Sequence, residues 1–352
     1  MKKFCIATIA IVLLTLIPLA KRSQDFAGVT PPPLRQFEFT YDVHVPAVSP
    51  GTGALRLWIP VPVSNSWQEI SDLKIESPVK YRTTRDAEYG NRYAYFEVKS
   101  PQADLDVHMN FRVVRHEHRV NLVALAAVPA AERFPDPMLQ RFLKPDHLVP
   151  LDGTIGDISH AQLDGAKDNL AKARRAYEYV IANMKYDKTG EGWGHGDAIW
   201  ACTAKRGNCT DFHSLFIGMV RAAGVPAKFE IGFPLPADKT SGDIPGYHCW
   251  AEFYLDGAGW VPVDASEAWK HPDLHEYYFG AHDANRVQFT TGRDIRLSPP
   301  QQGDPLNYSV YPYAEAGGKA LGSVTTHFAF RDISPDANKT AEVPAAARNS
   351  GR

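Results

Sequence analysis

Cysteine is scarce in this chain. Four residues in 352 are too few for a small fold held together by disulfides, and none falls in the paired Cys-x-x-Cys spacing of a structural zinc site. Neither sign of charge is in excess. The 38 Lys and Arg stand against 40 Asp and Glu, a formal net charge of −2, which excludes a polybasic nucleic-acid binder and an acidic solvating chain. Long apolar runs are nearly absent. One exists, at residues 4–20, so a multi-span membrane protein is excluded as well. No internal repeat is visible. What remains is an ordinary globular mixture, 44% hydrophobic and 22% charged, in a length that allows about two domains.

The single apolar run follows Lys2 and Lys3. A short basic region before an apolar stretch is the layout of a secretory signal. Its 17 residues sit at the lower edge of the ~17–25 that cross a bilayer. Lys21 and Arg22 follow at once, which is awkward for cleavage directly after Ala20, so cleavage between Ala20 and Ala27 and an uncleaved anchor both stay open. Residues 1–27 are therefore expected to be a signal peptide or N-terminal anchor. The chain is expected to be exported, periplasmic or extracellular, and to touch the membrane only through this segment. Thr30-Pro31-Pro32-Pro33 reads as a linker.

Residues 34–125 alternate apolar and polar over short stretches, as in Phe37-Glu38-Phe39-Thr40-Tyr41 and Val107-His108-Met109-Asn110-Phe111-Arg112-Val113. Period two with β-branched and aromatic residues predicts strands, and several without helical segments predict an antiparallel β-sandwich. The pattern changes near residue 125. Residues 161–184 have helix composition, with Leu163, Ala166, Leu170, Ala173, Tyr177 and Val180 at steps of three and four. Residues 186–202 are rich in glycine and tryptophan and read as a loop. Residues 334–352 carry few large apolar side chains and read as a disordered tail.

Two segments carry chemistry. In Arg206-Gly207-Asn208-Cys209-Thr210-Asp211-Phe212-His213, Asn208 is a helix N-cap and Asp211 suits the positive end of the helix dipole. Phe212, Leu215, Phe216, Met219, Val220 and Ala223 keep helical spacing, and Gly224 is a C-terminal stop. Cys209 then occupies the first helical position, where a thiolate is stabilised and the Cys209 N–H can serve as an oxyanion donor. Gly246-Tyr247-His248-Cys249-Trp250-Ala251-Glu252-Phe253-Tyr254-Leu255 reads as a strand turning through Asp256-Gly257-Ala258-Gly259 into Trp260-Val261-Pro262-Val263-Asp264. If Leu255 pairs with Gly259, Trp250 faces Asp264 and His248 is its diagonal neighbour on one face. A one-residue slip would send Asp264 to the other face. His213, one turn below Cys209, reads as a structural hydrogen bonder. Cys202 and Cys249 are either bonded to each other or left as free thiols.

These three blocks, in the order Cys209, His248, Asp264, resemble the transglutaminase-like core, most closely its exported bacterial branch, over about residues 140–300. The resemblance implies an α+β fold. A papain-like core packs its Cys helix on an antiparallel sheet over residues 126–333, after the N-terminal sandwich. It implies a thiol enzyme that forms an acyl-enzyme on an amide or peptide bond, with Cys209 as nucleophile, His248 as base and Asp264 orienting the ring. Hydrolysis is expected ahead of amine transfer, because nothing in the sequence marks an amine site. A peptide or protein amide is the expected partner. The resemblance also calls for a second oxyanion donor upstream of the cysteine, for which Trp193 and Trp200 are the candidates. The chain lacks the EF-hand spacing and the additional β domains that go with calcium in the animal enzymes. It also lacks the zinc motifs of the peptide N-glycanases, so no cofactor and no metal are expected. The rival reading is an inert scaffold that binds envelope proteins or glycans. An open cleft above Cys209 would favour the enzyme, and a buried Cys209 would favour the scaffold or a covered proenzyme.

Overall fold

Alternating side chains on long strands force two-faced sheets, and in this protein most apolar faces meet in one large core, with a smaller cluster of Trp58, Tyr93, Tyr95, Ile295 and Leu297 beside it. The computed structural model describes residues 33–99, 101, 103–122 and 137–333. The expected leader and tail lie outside the described residues. Among the described residues no helix is long and apolar enough to cross a membrane. The fold is α+β.

Two five-stranded antiparallel sheets form the β-rich part. One runs Ser241–Asp243, Thr325–Asp332, Leu34–Val45, Leu105–His116, Gln68–Glu76, and the other Lys319–Ala320, Tyr313–Ala316, Leu55–Val61, Arg92–Val98, Tyr81–Arg85. The alternating segments at residues 37–41 and 107–113 both lie in these strands. The division at residue 125 is crossed, however. Thr325–Asp332 pairs along Leu34–Val45, and Tyr313–Ala316 along Leu55–Val61. The returning strand buries Phe328 and Phe330 and covers what would be an open edge. The sandwich is thus assembled from both ends of the described chain rather than from residues 34–125 alone.

The core sheet is ordered Gly259–Val263, His248–Leu255, Ala227–Pro234, Arg286–Thr291 and is antiparallel. Helix Cys209–Ala222 lies against it, with Phe216 edge-on to Phe253 at 6.3 Å. Every helix residue from Cys209 to Arg221 is buried, so this helix is central, wrapped by Gly153–Leu163, Asn169–Asn183 and Ala198–Ala204. The single helix expected over residues 161–184 is two. The chain breaks at Gly165, with φ +72°, and restarts where the Asp168 side chain accepts the Ala171 N–H at 2.7 Å. The loop expected over residues 186–202 ends early for the same kind of reason: Asp197 caps Ala198–Ala204 by accepting the N–H groups of Ile199 and Trp200. Sandwich and core share aromatic contacts, Phe39 with Phe233 at 5.5 Å and Phe233 with Phe328 at 4.3 Å.

Candidate active site

Cys209 opens its helix because the residues around it close the helix end. The Asn208 side chain accepts the Thr210 N–H at 2.9 Å, and Asp211 accepts the Asn208 N–H at 2.9 Å, a reciprocal capping box. The thiol therefore sits in the first turn, where N–H groups without intrahelical acceptors point outward and favour an anion. Asp211 does more than the sequence suggested. It also accepts the Gly194 and Gly196 N–H groups at 2.7 and 2.9 Å, clamping the glycine loop to the helix start.

The hairpin settles the register question. Leu255 pairs with Gly259 and Ala251 with Val263, which brings Trp250 opposite Asp264 and His248 onto its diagonal. The His248 Nε2 donates to Asp264 Oδ2 at 2.7 Å, leaving Nδ1 as the nitrogen available to the thiol. Asp264 is fully saturated. Oδ2 also accepts from Arg286 Nη1 at 3.1 Å, while Oδ1 accepts from the Glu267 N–H and the Ser266 hydroxyl, each at 3.0 Å, capping the helix Ala265–Lys270.

The electrostatics follow from these contacts. Burial alone would push the Cys209 thiol up. Hydrogen bonds from Cys249 and His248, with the positive charge on His248, outweigh it and hold the thiol well below its usual range. Burial would push the His248 ring down, but the Asp264 carboxylate and its hydrogen bond, with the neighbouring thiolate, raise it to about 10. Asp264 is held well below the usual carboxylate range: burial opposes this, and the charges on His248 and Arg286 prevail. These shifts all run in the direction that favours a thiolate beside a protonated ring backed by a carboxylate.

The site is enclosed. Cys209 is 2% exposed, His248 5% and Asp264 0%. Tyr186, Tyr247, Tyr308 and Tyr311 lie within electrostatic reach of the thiolate. The Tyr247 hydroxyl accepts from Asn208 Nδ2 at 3.0 Å and meets Thr210 Oγ1 at 2.9 Å, while its ring packs on Tyr308 and Tyr311. His213 has the structural place expected of it. Its Nε2 accepts the Ala265 N–H at 3.1 Å, and burial pushes the ring down and keeps it neutral. Cys202, Cys209 and Cys249 are free thiols.

The indole nitrogens of the two oxyanion candidates have other neighbours. The Trp193 indole N–H donates to the Gly190 carbonyl at 3.0 Å, inside its own loop. The Trp200 indole nitrogen lies directly over Gly192, and Arg206 stands over its ring at 5.9 Å. Four glycines of this stretch, 190, 192, 194 and 196, have positive φ. The sequence reading also missed Arg286, which holds Asp264, and Arg293, which donates to the Gly196 and His195 carbonyls at 2.8 and 3.0 Å and to Ser214 Oγ at 2.6 Å. Both are buried arginines in a β-rich run, Arg286-Val287-Gln288-Phe289-Thr290-Thr291-Gly292-Arg293. A charge inside such a run was the available signal.

Comparison with known proteins points to one superfamily. The family profile of the transglutaminase-like superfamily matches residues 157–265. An uncharacterized protein of Haemophilus influenzae is 30% identical over 325 residues, covering 82% of this chain and 88% of its own. A crystal structure from Cytophaga hutchinsonii, provisionally described as a cysteine protease, superposes with a TM-score of 0.62 at 18% identity, over 86% of this chain and 91% of that one. An uncharacterized protein of Bacillus subtilis, YebA, is 29% identical over 77 residues, 19% of this chain and 10% of its own.

Proposed function

Because this chain belongs to the transglutaminase-like superfamily, we propose that it is a thiol enzyme that opens amide or peptide bonds through an acyl-enzyme on Cys209. The observation that carries this reading is the relay Cys209–His248–Asp264, with a 2.7 Å His248–Asp264 hydrogen bond and opposed shifts of thiol and ring. In the mechanism, the Cys209 thiolate adds to the carbonyl carbon, and the Cys209 backbone N–H, at the helix start, donates to the developing oxyanion. The His248 imidazolium gives its proton to the leaving amine. Neutral His248 then takes a proton from water, whose oxygen attacks the thioester and releases the acid. Asp264 keeps the ring in the tautomer and orientation that both steps need. Water is favoured over an amine as the second nucleophile because no residue pattern marks an amine site. The Lys2-Lys3 and residue 4–20 layout supports export, with a peptide or protein amide of the cell envelope as substrate.

The 2% exposure of Cys209 favours a second reading, in which the site is covered and the chain acts as a binding scaffold or a closed proenzyme. Alkylation of Cys209 by iodoacetamide against pH, read by peptide mapping so that half-buried Cys202 is counted separately, separates the two. The enzyme reading expects an apparent thiol pKa well below ~8.5 that rises in His248→Ala. A thiol that reacts only after denaturation, or titrates alike in both proteins, overturns it in favour of the scaffold.

A further inference from the structure

Strand His248–Leu255 carries a second polar group on the face that bears His248. By two-residue alternation Trp250 and Glu252 follow His248 on that face, with Glu252 about 13 Å further along. There Glu252 meets His118 and His282, which are themselves register partners in the short pairing of Ala281–His282 with His118–Arg119. His118 is 2% exposed, Glu252 7% and His282 0%. One potential ligand atom from each of the three lies within 4.8 Å of the others, and His118 Nδ1 is 3.5 Å from Glu252 Oε1. The relay around Cys209 uses none of them.

Their hydrogen bonding is incomplete. Neither ring nitrogen of His282 has a partner, and His118 Nδ1 faces only Glu252 Oε1, at 3.5 Å. A buried polar atom left unpaired costs about 1–3 kcal/mol, and two on one buried ring beside that pair point to an occupant. Glu252 is already oriented: Lys228 Nζ holds its Oε2 at 2.9 Å, turning Oε1 toward His118. The carboxylates Glu230, Glu252 and Asp283 and the cations Lys228, Arg115 and Arg286 lie around the group. Two imidazole nitrogens and one carboxylate oxygen form a ligand set for a divalent first-row metal. Bonds of ~2.0–2.2 Å in tetrahedral geometry set neighbouring ligand atoms about 3.4 Å apart, close to the His118–Glu252 separation. A cavity of about 540 Å³ lined by Trp67, His118 and Trp260 gives a route in, and Trp67 stacks on the His118 ring at 3.9 Å.

We propose that His118, Glu252 and His282 form a structural site for a divalent transition-metal ion of the zinc class, which fastens the end of the sandwich to the sheet carrying His248. Its ligands come from three distant stretches, which is why no spacing motif announced it and the sequence led to an expectation of no metal. The ion takes no part in the relay and stiffens the sheet beneath it.

The test uses the full chain, stripped with a chelator and desalted, then titrated with ZnCl2 by calorimetry and with CoCl2 by visible absorption. The expected result is one equivalent bound, a rise in the unfolding temperature on adding zinc, and a cobalt spectrum without a thiolate charge-transfer band. His282→Asn and Glu252→Gln should each weaken binding by about 100-fold or more. Glu178→Gln, in the more exposed group with His275 and Glu276, should leave it unchanged. Absence of stoichiometric binding to the wild-type chain overturns the proposal. So does a thiolate band, which would place the ion at a cysteine, or undiminished affinity in a folded His282→Asn. If the variants do not fold, the wild-type titration and cobalt spectrum still decide.

Discussion

Asp264 holds two structures at once: its Oδ1 caps the start of a helix and its Oδ2 orients the His248 ring. Asp264→Asn keeps the shape but offers an amide where His248 Nε2–H needs an acceptor, and it removes the charge that keeps the ring protonated. The Cys209 thiol should then return toward ~8.5, and alkylation at pH 6 should slow by roughly 100-fold. A rate within about threefold of wild type would remove Asp264 from the relay. The pair also predicts a pH profile of stability. His248 is raised from ~6.5 to about 10, so alone it contributes stability present below pH ~6.5 and lost as pH rises toward 10. Cys209 is lowered from ~8.5, so its contribution is present above ~8.5 and lost as pH falls through its folded value. Between ~6.5 and ~8.5 the folded pair and the two unfolded groups each bind about one proton, and the opposing slopes cancel. Thermal unfolding of the wild type should therefore be flat across that window relative to Cys209→Ala, whose stability should decline from about pH 6.5 upward. Parallel profiles for the two proteins would mean that no ion pair exists.

At the scale of elements, the start of the Cys209 helix depends on one carboxylate. Asp211 is fully buried and takes three backbone N–H groups, from Asn208, Gly194 and Gly196. Asp211→Ala orphans all three, and at ~1–3 kcal/mol each a loss of at least about 3 kcal/mol is expected in urea denaturation. A loss under 1 kcal/mol would show that solvent reaches these groups. The helix end was legible before the structure because capping is local: Asn208, Asp211 and Gly224 all act within one turn. The hairpin was legible because its three-residue loop fixes register once Leu255 and Gly259 are paired. The strands of the sandwich were legible from alternation. What stayed hidden was long-range. Arg286 reaches Asp264 across 22 residues and Arg293 reaches His195 across 98, and no local pattern encodes either contact. The course of the loop carrying Trp193 was hidden too, because four positive-φ glycines decide it and glycine leaves such a course unspecified in the sequence. The single helix expected over residues 161–184 ignored Gly165 and Asp168, a stop and a start that were both present.

At the scale of the whole molecule, the question is whether sandwich and core are one folding unit. The returning strand Thr325–Asp332 decides it. Phe328 is 5% exposed and packs on Tyr41 of the sandwich at 4.5 Å and on Phe233 of the core sheet at 4.3 Å. Arg35 fastens the same corner. It donates to Asp332 at 2.9 Å, to the Pro236 carbonyl at 3.0 Å and to Asn285 Oδ1 at 2.8 Å, and the next residue, Arg286, holds Asp264. A continuous set of contacts therefore runs from the last described strand to the proposed base. Independent domains would unfold in two steps, with the thiol becoming reactive in only one of them. A shared core demands a single step. Phe328→Ala should cost about 3–5 kcal/mol and lower the urea midpoint. Circular dichroism, which follows the whole fold, and Cys209 alkylation, which follows the helix start, should move together in wild type and variant alike. If Phe328→Ala shifted the circular dichroism midpoint while Cys209 stayed protected to its wild-type midpoint, the core would be folding without the sandwich, and the placement of His248 would owe nothing to the strand that closes the first sheet.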